Sequence, residues 1–408
     1  MLAATAASAA PAPTVGIEVP VTATHQTLGP GNNSPTLASD PNEARFVVLA
    51  NRLDAPDFGC ALHLSGDGGK GWTPANPVPE LPDGAEKCYA PEVAFDRNGV
   101  LYYLFVGLAG RGNEPMGVFL TTSSDRGRSF STPRKVLGPH NYSVRMAVDA
   151  GEGSGGRLHL VWVKATSDPP LGGFGPPPNP VMAAWSDDGG KTFSEPVQVS
   201  DPARERVVAP ALALSSGGAV HVAYYDLQDD AVDYQGLAGP VWEGNWSIVA
   251  ASSTDGGRTF GPGQVVDDGI VPPERVILIF TMAPPTLAVS DDRVCMAWPD
   301  GGHGDPDIIS RCSDHPGSKW GDRRRVNDDK PGNGVTQLMP RLAFAPGGRL
   351  DALFYDRRIL PGNFVNDAFF AYSSDGGETW APNVRPPSVE LAATIDQFPS
   401  HTGPASPW

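Results

Sequence analysis

The 408-residue sequence predicts an all-β fold, a six-bladed β-propeller with four-stranded antiparallel blades, and three observations carry that prediction. A turn motif, S-x-D-x-G-x-x-(W/F), recurs six times at near-constant spacing, the signature of a propeller or solenoid. Strand-like runs flank nearly every copy. Amphipathic helical periodicity is hard to find, and 48 Gly with 43 Pro suits short strands joined by turns.

The motif reads Ser65/Asp67/Gly69/Trp72, Ser123/Asp125/Gly127/Phe130, Ser186/Asp188/Gly190/Phe193, Ser253/Asp255/Gly257/Phe260 and Ser373/Asp375/Gly377/Trp380. A degenerate copy, Ser313/His315/Gly317/Trp320, puts histidine in place of the aspartate. The steps from Asp67 are 58, 63, 67, 60 and 60 residues. Within each copy the glycine suits a positive φ in a tight turn. The aspartate accepts backbone N–H bonds across the turn, and the aromatic ring plugs the sheet. These aspartates are therefore read as structural.

Two strand-like runs precede nearly every turn, a third leads into it and a short fourth follows, as in residues 209–215, 219–226, 246–253 and 263–268. Blades are expected to begin near residues 34, 90, 144, 209, 284 and 340. Residues 16–408 then form a single propeller domain. The run at 16–23 looks like an extra strand that pairs into the last blade and closes the ring, since closure removes exposed edges.

Net charge is −16, which disfavours nucleic acid and anionic membrane as partners, and no apolar stretch is long enough to span a bilayer. Residues 1–15 are Ala-rich and end in small residues suited to signal-peptidase cleavage, so they are read as a signal-peptide remnant or a disordered tail. A secreted, monomeric protein is expected. Pairing the runs around residues 300–307 so that Trp298 meets Ile309 also sets Cys295 opposite Cys312. Cys60 and Cys88 flank the passage from the first blade to the second. Each pair is read either as a disulfide or as two buried thiols. No C-x-x-C or H-x-x-x-H spacing points to zinc.

Strands alternate direction within a blade, so the starts of first strands and the loops after second strands share the rim away from the turn motifs. That rim offers Tyr89, Tyr142, Arg145 and Arg341 at first-strand starts, and Asp226, Asp300, Asp356 and Arg357 in or beside the second-strand loops. Glu205-Arg206 and Glu274-Arg275 lie just upstream of blades. Tyr234, Trp242 and Trp246 in the fourth blade's long loop present rings of a kind that stacks on sugars.

The recurring turn is the Asp-box, and with it the chain resembles the sialidase-like superfamily over nearly its whole length. In that family an Ala-Asp-x-Arg stretch and a following Asp precede the first box. Here Ala50-Asn51-Arg52-Leu53-Asp54 and then Asp57 do so. The resemblance makes Arg52 the loop arginine and Asp57, with Asp54 as rival, the acid/base aspartate. It implies three arginines around a substrate carboxylate, for which Arg145 and Arg341 are candidates beside Arg52. It also implies a tyrosine nucleophile activated by a glutamate, with Tyr142 or Tyr355 and Glu205 or Glu274 as candidates. The chain departs from the family at its opening, where Ser34-Pro35-Thr36-Leu37 stands in place of Arg-Ile-Pro.

Two functions follow. One is an exo-acting glycoside hydrolase on an anionic or other terminal sugar, with an aspartate acid/base and an arginine clamp. For a neutral or uronic sugar, Asp57, Asp226, Asp300 and Asp356 would supply the paired carboxylates, with Trp242 and Arg357 among the sugar-contacting residues. The other is a non-catalytic propeller that binds glycan or protein. No cofactor is expected. Asp300, Asp305 and Asp307 form an acidic turn whose three carboxylates would also suit Ca²⁺, with His303 beside them as an acid/base candidate.

Overall fold

The computed structural model describes residues 12–16, 18–21, 32–54, 56–149, 156–166, 175–235, 242–272, 284–290, 293–314, 319–360, 362–363 and 366–387. Within them the alternation of buried and open residues folds into six antiparallel sheets arranged as blades. The first blade is β1 (Asn32–Asp40), β2 (Glu43–Leu53), β3 (Gly59–Ser65) and β4 (Thr73–Pro74). The second is β5 (Lys87–Phe95), β6 (Leu101–Ala109), β7 (Glu114–Ser123) and β8 (Arg134–Leu137), and the third β9 (Asn141–Val148), β10 (Leu158–Lys164), β11 (Val181–Ser186) and β12 (Val197–Gln198).

The fourth comprises β13 (Val207–Leu214), β14 (Val220–Asp226), β15 (Trp246–Ser253) and β16 (Gln264–Ile270), with a short helix α1 (Ala231–Gln235) in its long loop. The fifth is β17 (Thr286–Val289), β18 (Val294–Asp300), β19 (Asp307–Ser313) and β20 (Arg324–Arg325). The sixth is β21 (Gln337–Phe344), β22 (Leu350–Asp356) and β23 (Asp367–Ser373), with Val384 bridging Phe370 as its fourth strand. The expected blade starts fall within or just ahead of the six inner strands.

Each repeated turn closes on itself. At the first, the Gly69 amide donates to Ser65 Oγ (2.9 Å), the Ser65 hydroxyl donates to Asp67 Oδ1 (2.8 Å), and the Gly71 amide reaches the same oxygen (2.9 Å). The turns at Ser123, Ser186, Ser253 and Ser373 repeat these bonds. Donors on every side favour the carboxylate, and at Asp125 the Ser129 hydroxyl and the surrounding amides pull the pKa down to about 2. These aspartates are occupied in holding turns. The degenerate copy keeps Trp320 buried, while His315 and Gly317 lie outside the described residues.

Cores form between blades. Buried clusters join the first blade to the second, the second to the third, and so on to the sixth. Among the described residues none joins the sixth to the first. The Glu18 amide donates to the Pro387 carbonyl (3.0 Å), just beyond Val384, which ties the N-terminal run to the outer edge of the sixth blade.

Both cysteine pairs are disulfides. Trp298 pairs with Ile309 and Cys295 with Cys312, the expected register, at a Cα separation of 4.1 Å. Cys60–Cys88 (Cα separation 5.5 Å) staples β3 to β5 of the next blade.

Candidate active site

The inner strands share one irregularity on the rim away from the repeated turns. The ladder slips between Asn33 and Thr36, Tyr89 and Glu92, Tyr142 and Arg145, Val208 and Ala211, and Leu338 and Arg341. In each slip one non-glycine residue takes a left-handed φ: Ser34 (48°), Ala90 (48°), Ser143 (51°), Ala209 (51°) and Met339 (53°). Proline follows four of the five, and with no N–H to pair it leaves no orphan donor in the bulge. A left-handed residue of this kind costs on the order of 1–2 kcal/mol, so five at one position are held by their surroundings.

A bulge re-aims the side chain that follows it. Those side chains are Thr36, Glu92, Arg145, Ala211 and Arg341, with Thr286 in the same place in β17. Most reach the next inner strand. Thr36 Oγ1 donates to the Pro91 carbonyl (3.3 Å), Glu92 Oε2 accepts from the Met146 amide (3.3 Å), Arg145 Nε donates to the Pro210 carbonyl (3.4 Å), and Thr286 Oγ1 accepts from the Leu342 amide (2.9 Å). Arg341 breaks the series. Its Nη1 donates to the carbonyl of its own neighbour Pro340 (3.1 Å), and among the described residues it has no carboxylate partner.

Arg145 and Arg341, two of the three arginines expected around a substrate carboxylate, therefore lie close together at the axial end of the ring. Arg145 Nη1 donates to Glu92 Oε1 at 2.6 Å. Arg341 is open to solvent yet walled by protein. Lost hydration and the nearby Arg145 hold its pKa below the ordinary arginine value, while Glu92 and Tyr355 pull the other way. Two guanidiniums and one carboxylate leave one surplus positive charge here, in a chain of net charge −16. A surplus guanidinium of this kind suits an anionic partner.

Tyr355 is exposed and lies within electrostatic reach of Arg341. Tyr142 is half-buried three positions ahead of Arg145 in β9. Arg52 is nearly buried. Its Nε donates to Asp54 Oδ1 (2.5 Å), and its guanidinium lies 4.5 Å from the Tyr89 ring and 5.6 Å from that of Phe58, beside the Cys60–Cys88 staple. Asp57 is 70% exposed and pairs with Lys87 Nζ at 3.2 Å.

Other candidates are committed to structure. Asp226, Asp300 and Asp356 end β14, β18 and β22, and all three are buried. Each accepts the amide two residues on and pairs with an arginine, namely Arg204, Arg323 and Arg358. Buried Arg357 donates to Asn366 Oδ1 (2.7 Å) and the Asn363 carbonyl (2.9 Å), bracing its own loop. Tyr234 and Trp246 are core residues rather than a sugar platform. Trp246 Nε1 donates to Asp230 (3.0 Å), Tyr234 meets Asn179, and Trp242 packs half-buried against the same cluster. Glu205 lines a cleft of about 620 Å³ with Arg204, Arg206 and Asp226, in which neither Arg145 nor Arg341 takes part. Glu274 is outside the described residues.

The acidic turn does not gather its carboxylates. Asp300 binds Arg323, Asp305 takes the amides of Gly332, Gly334 and Val335, and Asp307 takes His303, Arg325 and Asn327. Among the described residues no group of three His, Cys, Asp or Glu side chains is placed to hold a metal ion. Sequence reasoning missed Glu92. Its signal was positional, since Glu92 follows Ala90-Pro91 as Arg341 follows Met339-Pro340.

No family model matches the sequence, and no curated protein matches it. Solved structures do share the fold. A protein of unknown function from Dyadobacter fermentans is 16% identical, covering 80% of this chain and 90% of its own, with a TM-score of 0.51. A family PL25 ulvan lyase bound to a glucuronyl-rhamnose-3-sulfate unit is 13% identical over 82% of this chain and 78% of its own (TM-score 0.52). The α-L-arabinofuranosidase Arb93A of Fusarium graminearum is 13% identical over 85% and 95% (TM-score 0.51). At these identities the likeness is one of fold.

Proposed function

We propose that the protein is a secreted, monomeric, sialidase-like glycoside hydrolase that acts at the end of a glycan carrying an anionic sugar. One observation carries the reading: Arg341, without a carboxylate partner among the described residues, stands beside the Arg145–Glu92 pair on the axial rim. A carboxylate or sulfate completes that arrangement, with Arg341 as the main anchor and Arg145 held in place by Glu92. Fold alone decides no function, so the recess rather than the shared propeller supports the reading. The two disulfides suit an oxidising compartment.

In this reading Tyr355, the candidate tyrosine open to solvent beside Arg341, is the nucleophile, and its phenol proton passes to water as its oxygen bonds the anomeric carbon. A tyrosine spares the approaching anionic sugar the repulsion that a carboxylate nucleophile would impose. Asp54, positioned by Arg52, or Asp57 on the same loop protonates the departing glycosidic oxygen and then deprotonates the water that releases the sugar. The alternative, a non-catalytic glycan- or protein-binding propeller, has one observation in its favour. Arg52 is already neutralised by Asp54 and stacked on Tyr89, leaving two arginines rather than three for a ligand.

A panel of fluorogenic glycosides, including a sialoside and uronides, tests the reading on wild type, Arg341→Ala, Tyr355→Phe, Asp54→Asn and Asp57→Asn. Turnover of an acidic glycoside that falls at least about a hundredfold in the tyrosine variant and in one aspartate variant supports the hydrolase. No turnover of any glycoside, with acidic glycans still bound through Arg341, selects the binding module.

A further inference from the structure

The junction between the sixth and first blades is unlike the other five. At positions equivalent to Leu37, the residues Val93, Met146, Leu212, Leu287 and Leu342 pack into the cluster shared with the preceding blade, whereas Leu37 is 61% exposed. Leu353 on β22 is 47% exposed, where its counterparts Ala50 and Leu104 are buried against the following blade, and Tyr355 two residues on is 42% exposed. The turns show the same gap. A Cβ on Gly190 would sit 2.4 Å from Leu120 of the preceding blade and one on Gly377 2.5 Å from Cys312, but one on Gly69 meets only its own Trp72.

The seam also carries a charge with no carboxylate partner among the described residues. Arg341 pairs with Leu353 in the ladder, and Leu353 with Phe370, so these side chains share one face of the sheet. Their sequence neighbours Leu342, Ala352, Phe354, Phe369 and Ala371 fill the opposite face, against the fifth blade. One guanidinium therefore opens onto an apolar wall of Leu353, Tyr355 and half-buried Phe370, and Leu37 is exposed on the side of the first blade that, by the repeat, turns toward the sixth. Apolar walls with a single polar anchor are the makeup of a small-molecule cleft.

We propose that this seam is the subsite for an apolar group carried next to the anionic sugar, an aryl or acyl substituent that lies on Leu37, Leu353 and Phe370 while the acid meets Arg341. The inference rests on the reading that Arg341 holds the anion, and it adds the class of ligand. Charge complementarity supports this occupant, because an acid next to an apolar group satisfies the guanidinium and covers the wall together.

Calorimetric titration of methyl and 4-nitrophenyl glycosides of glucuronic and N-acetylneuraminic acids tests it on wild type, Leu37→Ser/Leu353→Ser and Arg341→Ala. For at least one sugar, the aryl form should bind wild type about tenfold more tightly than the methyl form. The double serine variant should erase that preference with methyl-glycoside affinity unchanged, and the arginine variant should bind neither. Equal affinity of both forms, still lost in Arg341→Ala, overturns the subsite and leaves the anion reading standing. No binding of any of the four to wild type overturns both. Light scattering that finds a wild-type dimer, monomeric in the serine variant, assigns the face to a second copy and also overturns the subsite.

Discussion

Arg145 and Glu92 hold the same position on neighbouring inner strands and join there at 2.6 Å, so two blades grip each other through the pair that flanks the recess. Glu92 spends its second oxygen on the Met146 amide. The pair is thus a blade-to-blade contact that also fixes the Arg145 guanidinium beside Arg341. Arg341 sits at the corresponding place on the last blade with no such partner among the described residues, so one repeated position holds both a paired and an unpaired arginine.

Glu92→Gln should lower stability by about 2 kcal/mol, because a partly buried arginine loses its counter-charge while the amide to Met146 stays bonded. Chemical denaturation of the two proteins at neutral pH checks this. A change under 0.5 kcal/mol would mean that Arg145 does not depend on Glu92.

Arg341→Ala should leave stability within about 0.5 kcal/mol of wild type, since among the described residues no carboxylate is stranded by the change. The same substitution should abolish binding of acidic glycosides, and Arg341→Lys should restore only part of it, because an ammonium lacks the bidentate fork. A large stability loss with ligand binding intact would make Arg341 a structural residue.

His159 and His221 are buried, and burial pushes the pKa of each from 6.5 to about 4. Unfolded, both bind protons below about pH 6.5; folded, they stay neutral down to about 4. Stability that is fully present above pH 6.5 is therefore lost as pH falls toward 4, by on the order of 3 kcal/mol per histidine. His221→Gln should flatten the fall in melting temperature between pH 6.5 and 4. An unchanged slope would exclude His221 as a source.

Cys60→Ser/Cys88→Ser opens a loop with a sequence separation of 28 and releases β3 from β5, at a cost of about 3–4 kcal/mol in the chain-entropy account. Denaturant titration without reductant measures it. Equal midpoints for wild type and variant would show the staple to be dispensable.

Much of the architecture was legible because its signals are local. The turn motif encodes a hydrogen-bonded loop of eight residues, so its recurrence counted the blades, and one register choice around residues 300–307 set Cys295 opposite Cys312. Arg145 and Arg341 were recognisable as rim residues because strand direction alternates within a blade. The acidic rim residues misled, since a carboxylate at the end of a second strand looks the same in sequence whether it faces a ligand or caps its own loop. Asp226, Asp300 and Asp356 do the latter.

Local chemistry written into contiguous residues, namely turns, strands and the choice of rim, needed no three-dimensional knowledge. Which charges are satisfied was another matter. Whether Arg145 or Arg341 has a partner depends on residues 53 positions away or on the far side of the ring, and closure geometry rather than residue type chooses among them. The open seam is the sharpest case. Leu37 is an ordinary strand leucine in the sequence, and only the placement of the sixth blade leaves it in water.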